Sequence, residues 1–97
     1  MRALFVVGAY GKVDTAFKLA SNMFDGGCDV FFLFVGEGCR YALDEALVRS
    51  LSFAAGVYCL DVDLDRIENS DDGSCEVVDY TGWVELIKSC DTLFSWI

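Results

Sequence analysis

Cysteines are the residues of this chain with the clearest potential for chemistry. There are five, Cys28, Cys39, Cys59, Cys75 and Cys90, and no two of them form a C-x-x-C pair. A zinc ribbon needs two close pairs, and a disulfide-stapled secreted fold normally has an even number of cysteines. The sequence contains no histidine, which removes Ser–His and Cys–His pairs and every histidine metal site. The remaining candidate is thiol chemistry that needs no histidine base.

Two of the cysteines stand where a thiolate could act. Cys39 follows the glycine-rich turn 36–38, at a predicted helix N-terminus and beside Arg40. A helix N-terminus and a neighbouring cation both stabilise a thiolate, which is the nucleophilic form of the side chain. Cys59 lies at the end of a predicted strand, where Asp61 and its acidic neighbours would disfavour the thiolate if they lie close. The alternative for each cysteine is a small apolar side chain packed in the interior. The sequence leaves open whether each one reacts or packs.

Two further motifs could bind a ligand, but each lacks part of its pattern. Residues 8–12 (GAYGK) could hold a phosphate with backbone N–H groups, yet the P-loop spacing is incomplete and Val13 stands where Ser or Thr belongs. The D-x-D-x-D run at 61–65 lacks the glycine and glutamate of an EF-hand loop. We therefore predict no cofactor and no metal. A small nucleotide- or flavin-binding domain is the weakest alternative.

The elements that position these residues follow from the hydrophobic pattern. Short apolar runs bounded by turn residues predict strands at 3–8, 28–35, 56–60, 76–78 and 92–97. Helical spacing predicts a helix capped by Asp14, a second over 39–47, a short one around 64–67 and a last one capped by Asp79 or Thr81. Residues 50–55 are ambiguous, and 69–74 read as a loop.

This alternation of strands and helices predicts one α/β domain over residues 1–97. The expected architecture is a parallel five-stranded sheet with helices on both faces. A length of 97 residues, with 55% hydrophobic residues, suits one folded domain with one core. Functional groups of such sheets collect beyond the carboxyl ends of the strands, so we expect Cys59 to emerge at an accessible edge.

The charge balance limits the possible partners. The chain has 7 Lys and Arg against 16 Asp and Glu, a formal charge of −9, which argues against direct contact with nucleic acid or an anionic membrane. No apolar run approaches the roughly 20 residues of a membrane span. The absence of a signal-peptide pattern and the odd number of cysteines predict a cytoplasmic protein with reduced thiols. The apolar final strand predicts an oligomer, because an apolar edge invites a partner subunit.

The C-terminal third resembles the end of DsrH/TusB-type sulfur-relay proteins. Residues 77–86 (VVDYTGWVEL) are similar to the V-D-Y-x-[GD]-[FW]-V helix of that family, and 92–97 (TLFSWI) to its final strand, which finishes on or next to Trp. Upstream, 33–38 (LFVGEG) resembles the second strand and turn of the family, with Glu37 in place of Asp. Residues 57–64 (VYCLDVDL) are similar to its V-Y-x-L-x-x-D-L segment.

The resemblance implies an α/β fold related to the DsrE and DsrF proteins. It also implies assembly with DsrE/DsrF-like (TusD/TusC-like) subunits or with further copies of this chain. In that relay, sulfur passes as a cysteine persulfide between small sulfur-carrier proteins. Its destination is 2-thiouridine in tRNA or dissimilatory sulfur oxidation.

The same resemblance leaves the role of Cys59 open. The persulfide cysteine of the family belongs to the DsrE/TusD-type subunit, just after the third strand, and DsrH/TusB-type subunits lack it. Cys59 lies within about one position of that place, and one position decides which face of a sheet a side chain takes. The chain is then either a structural partner subunit or a sulfurtransferase that carries sulfur on Cys59, with Cys39 as second candidate. The competing function is a non-catalytic interaction module that oligomerises through its C-terminal strand.

Overall fold

Five strands form one sheet at the centre of the protein. The computed structural model describes residues 1–9, 11, 14–42, 45–60 and 76–96. In chain order the elements are β1 (Arg2–Val7), α1 (Asp14–Asp25), β2 (Asp29–Phe34), a 3₁₀ turn (Gly36–Gly38), α2 (Cys39–Ala42), α3 (Glu45–Ser50), β3 (Gly56–Leu60), β4 (Glu76–Val78), α4 (Tyr80–Ser89) and β5 (Thr92–Trp96).

All neighbouring strands of the sheet are parallel. Their order is β4-β3-β2-β1-β5, so the chain moves outward from β1 through β2 and β3 to β4. It then returns through α4 to place β5 on the other side of β1. The predicted parallel five-stranded sheet in a single α/β domain is confirmed. The two edges of this sheet are β4, with three residues, and β5, with five.

One face of the sheet, here called the α1 face, packs against α1 and the segment that begins at Cys39. Its core joins alternate strand residues to residues of α1 and of the segment that begins at Cys39: Ala3, Phe5, Val7, Val30, Phe32, Phe34 and Cys59 with Ala16, Ala20, Cys39 and Leu51. The rings of Phe32, Phe5 and Phe94 lie side by side across three neighbouring strands, with centroids 5.6 and 5.0 Å apart. The alternation of β-strand side chains explains this row, because directly paired residues face the same side.

The opposite face, here called the α4 face, packs against α4. Its core consists of the intervening strand residues and one side of the helix: Leu4, Val6, Phe31, Leu33, Val35 and Leu60 with Trp83, Leu86 and Cys90. In β1 and β2 every residue after the first is buried. This is why these two strands read as continuous apolar runs, and helices on both faces are confirmed.

The described helices agree with the sequence in place but differ in extent. The single helix predicted over 39–47 is seen as α2 and α3, with residues 43–44 outside the described ranges, and α3 continues to Ser50. Of the two cap candidates for α4, Asp79 is the cap, since its Oδ1 accepts a hydrogen bond of 2.9 Å from the backbone N–H of Gly82. The short helix around 64–67, the loop 69–74 and the acidic run 61–65 lie outside the described residues.

Candidate functional site

The carboxyl ends of β5, β1 and β2 are tied together by backbone hydrogen bonds. The N–H of Gly8 donates to the carbonyl oxygen of Trp96 at 2.7 Å, and the N–H of Val35 donates to that of Val7 at 3.0 Å. The segments that follow β1 and β2 therefore begin at one edge of the sheet, where a doubly wound fold places its ligands. Cys39 and the described part of the glycine-rich loop 8–12 lie in these segments, and Cys59 lies near the end of the neighbouring strand β3.

The glycine turn after β2 closes over the end of β1. Gly38 is buried, and a Cβ atom at this position would collide with the backbone carbonyl of Val7. Gly36 has a φ of +54°, a conformation that residues with a side chain rarely adopt. These two glycines allow the turn to lie directly on β1. The turn therefore covers the strand end instead of leaving an open pocket there.

Cys39 follows this turn and is fully buried at the first residue of α2. Its Sγ lies 3.3 Å from the carbonyl oxygen of Phe34, within S–H···O hydrogen-bond range, and 4.0 Å from that of Leu60. These contacts engage the protonated thiol as a donor. The Nε of Arg40 lies 3.0 Å from Oε1 of Glu37, and both side chains are exposed, so this cation is directed to a surface carboxylate.

Cys59 is the fourth residue of β3 and faces the α1 side of the sheet. It pairs with Phe34 on β2 and Val77 on β4, which share its face. The prediction that Cys59 emerges at an accessible edge of the sheet is wrong, because this residue is only 1% exposed. Burial raises the pKa of its thiol from 9.0 to about 11, because a thiolate loses its hydration there. At neutral pH the side chain is a thiol inside the core.

The structure brings Cys39 and Cys59 into one core cluster, on the α1 face. The other described cysteines, Cys28 and Cys90, are partly exposed. The four described cysteines are thiols and form no disulfide with one another. Cys75 lies outside the described residues. The two cysteines that the sequence favours as reactive, Cys59 and Cys39, are thus the least accessible of the four.

The candidate phosphate loop is described only at Gly8, Ala9 and Gly11. The N–H of Gly11 donates to the hydroxyl of Tyr41 at 2.6 Å, so a backbone donor that a phosphate would need is already engaged. Sequence reasoning missed this role of Tyr41, because helical spacing alone does not show that the two loops meet. Within the described ranges, no three His, Cys, Asp or Glu side chains cluster as a metal site would require. None of the helices in those ranges combines the length and apolar character of a bilayer crossing.

Two surface cavities flank α4 on its own face of the sheet. One, of about 220 Å³, is lined by residues of β5 and the end of α4, among them Ile87 and Leu93. The other, of about 380 Å³, lies towards β3 and β4 and is lined by Tyr58, Glu76 and Glu85 among others. Neither cavity is lined by Cys39 or Cys59.

Comparison with known proteins identifies the fold. No protein-family model matches the chain, and no curated protein matches it. Among solved structures, the crystal structure of the YchN protein from E. coli is similar, with a TM-score of 0.78 and 12% sequence identity. The similarity covers 99% of this chain and 100% of that chain. The chain thus has an α/β fold similar to that of the YchN protein.

Proposed function

We propose that this protein is a non-carrier subunit of a sulfur-relay complex, similar in role to DsrH/TusB-type proteins. The fold supports a role of sulfur-relay type. The resemblance of the C-terminal helix and strand to the DsrH/TusB pattern supports the narrower assignment. In such a complex the chain contributes surface and stability, and persulfide chemistry takes place on a neighbouring subunit.

The observation that carries this proposal is the burial of Cys59. A persulfide carrier needs a thiolate that can reach the sulfur of a donor, because the exchange depends on thiolate fraction and access. Cys59 has neither at neutral pH, since it is 1% exposed and its pKa is raised to about 11. A small apolar role in the α1-face core fits these properties.

The competing function, a sulfurtransferase with Cys59 as carrier and Cys39 as second candidate, requires this part of the core to open. Cys39 is as inaccessible as Cys59, and its thiol contacts two carbonyl oxygens. The carrier role of these two residues therefore stays a prediction for experiment.

The proposed partners are proteins. With a formal charge of −9, the chain favours DsrE/DsrF-like subunits or sulfur carriers that present a basic face. Modified tRNA or oxidised sulfur would then be the product of other members of the relay. Reduced thiols suit a cytoplasmic location for this exchange.

Thiol labelling with mass spectrometry tests the proposal. The native protein is incubated with iodoacetamide at about pH 8, and the labelling rates of the cysteines are compared. Partly exposed Cys28 and Cys90 serve as internal references. We expect Cys59 and Cys39 to react at least about tenfold more slowly than either reference, because buried thiols are inert.

A sulfur donor provides the complementary measurement. After incubation with a persulfide donor, carrier activity would add about 32 Da to the peptide of Cys59, one sulfur atom per site. Cys59→Ala is the control for specificity. Rapid labelling of Cys59 would contradict the burial on which the non-carrier role rests. A persulfide that forms on Cys59 and passes to an acceptor thiol would establish the sulfurtransferase.

A further inference from the structure

The outer edge of β5 lacks the features that normally prevent strands from pairing. Its five residues, Thr-Leu-Phe-Ser-Trp, include no charge and no proline, and their pairing with β1 runs without a bulge. The opposite edge, β4, is described at Glu76–Val78 and carries the charge of Glu76. Natural sheets blunt their edges with charges, bulges or very short strands. By these criteria β4 is a protected edge and β5 is an open one.

The backbone groups that β5 offers at this edge follow from its pairing with β1. Trp96 directs its carbonyl towards β1, where it accepts from the N–H of Gly8. Because the direction alternates along a strand, Phe94 also faces β1, and Leu93 and Ser95 direct their N–H and C=O groups outward. Among the described residues no strand lies on this side of β5.

We propose that a second copy of this chain pairs antiparallel with β5, with the two-fold axis passing between the two Phe94 residues. In this register Leu93 of each copy is opposite Ser95 of the other. Both residues point outward, so each such pair exchanges two N–H···O=C bonds, four in all. A register with the axis between two residues would pair outward groups with groups that already face β1. An axis on Leu93 or on Ser95 keeps outward groups together, but it pairs the other of these two residues with a position outside β5. Centring on Phe94 therefore uses every outward backbone group of Leu93 and Ser95.

When two copies of β5 lie antiparallel, their side chains complement each other in size. In the proposed register Thr92 faces Trp96 on the α1 face, and Leu93 faces Ser95 on the α4 face, so each large residue meets a small one. At the axis Phe94 faces Phe94, as a non-hydrogen-bonded pair in which side chains approach most closely. The pair would extend the ring row Phe32–Phe5–Phe94 into the second copy. This self-complementarity favours a copy of the same chain over an unrelated strand, because a two-fold interface must match itself.

Exposed apolar side chains adjoin the same edge. Leu93 is 50% exposed and Ile87 is 43% exposed, and both line the cavity between α4 and β5. Val84 and Tyr80 are also exposed and continue this flank of α4, at helical spacing of three and seven residues before Ile87. Pairing through β5 would bring the second copy against Leu93 and shelter this surface. The ten-stranded sheet would have β4, the protected edge, at both ends.

The expected dimer is measured by sedimentation equilibrium over a range of protein concentrations. Two chains of charge −9 repel each other, so the measurement is made at about 0.15 M salt, where the Debye length is about 8 Å. Leu93→Lys places like charges beside the axis and removes apolar contact, so the dissociation constant should rise about tenfold or more. Val77→Lys is the matched control, since Val77 is equally exposed, at 50%, on the other edge of the sheet. It adds the same charge and should leave the dissociation constant unchanged.

A double variant tests the register itself. In Leu93→Lys/Ser95→Glu, the lysine introduced at 93 faces the glutamate introduced at 95 of the other copy, twice per dimer, and dimerisation should recover. In Leu93→Lys/Ser95→Lys it should not. Circular dichroism tests whether each variant is folded. If Leu93→Lys is unfolded, Ser95→Lys is used as the single variant in its place. A wild-type protein that stays monomeric at about 1 mM, or a dimer disrupted by Val77→Lys but not by Leu93→Lys, would overturn the proposal. Neither result depends on whether any cysteine carries sulfur.

Discussion

The hydroxyl of Tyr41 accepts a hydrogen bond from the backbone N–H of Gly11, with 2.6 Å between oxygen and nitrogen. This contact joins α2 to the turn between β1 and α1, two segments that both follow carboxyl ends of strands. The ring of Tyr41 also packs against Phe17 and Phe34, with centroids 5.6 and 5.9 Å away. Tyr41 therefore engages a backbone donor at the place where a doubly wound fold would bind a phosphate.

Tyr41→Phe removes this acceptor and leaves the ring packing in place. Gly11 is exposed, so water can replace the hydroxyl, and we expect a loss of about 1 kcal/mol in the free energy of unfolding. Urea denaturation measures this loss. Tyr80→Phe removes a hydroxyl from an exposed tyrosine and should change stability by less than about 0.5 kcal/mol. Equal stability of the two variants would show that the Tyr41 contact contributes nothing.

Gly38→Ala should be the most damaging single-methyl addition among the described glycines. The new Cβ would overlap the carbonyl group of Val7, which is backbone inside a central strand and cannot rotate away. We expect a loss of about 3 kcal/mol or more, at the upper end for overpacking. Gly26→Ala is the control, because its Cβ would make ordinary contacts, the nearest 3.5 Å from the carbonyl oxygen of Met23. A Gly38→Ala protein as stable as Gly26→Ala would contradict the close contact between the turn and β1.

Asp79→Ala should weaken the N-terminus of α4. The variant loses the hydrogen bond from the N–H of Gly82 to Oδ1, and removal of such a cap costs about 1 kcal/mol. Asp79→Asn retains an oxygen acceptor and should lose much less. Thermal unfolding of the three proteins compares them directly. If Ala and Asn are equally destabilising, the charge of Asp79 matters and not its hydrogen bond.

The buried thiol of Cys59 makes stability depend on pH in the alkaline range. Its pKa in the folded protein is about 11, against 9.0 as the ordinary value. Between these values the unfolded chain loses the thiol proton and the folded protein keeps it, so the free energy of unfolding falls as pH rises. The full effect is about 2–3 kcal/mol, present below pH 9 and lost towards pH 11.

Cys59→Ala isolates this effect from other groups that titrate in the same range. Urea denaturation between about pH 8 and pH 10.5 should show a shallower decline for the variant than for the wild type. The absolute stability of the variant is lower for a separate reason, the small cavity left in the core. Parallel curves for the two proteins would mean that the Cys59 thiol is accessible to water in the folded state.

Sequence patterns predicted most of the fold because its signals are local. Unbroken apolar runs identify β1 and β2, whose residues are buried on both faces. Asp79 marks the start of α4 because its side chain can cap a helix. The regular alternation of helices with strands implies a parallel sheet. The prediction over 39–47 differs from the structure at its end, since helix is described at Cys39–Ala42 and Glu45–Ser50.

The candidate site was decided by contacts between segments distant in the chain. The sequence by itself determined that Cys59 lies near the end of a strand and that the last strand is uncharged. Only the tertiary structure decided that Cys59 faces a packed core, that Tyr41 engages Gly11, and that β5 lies at an edge beside β1. The physical reason is that solvent access and strand order depend on which surfaces pack together, and no periodicity within one segment records its neighbours.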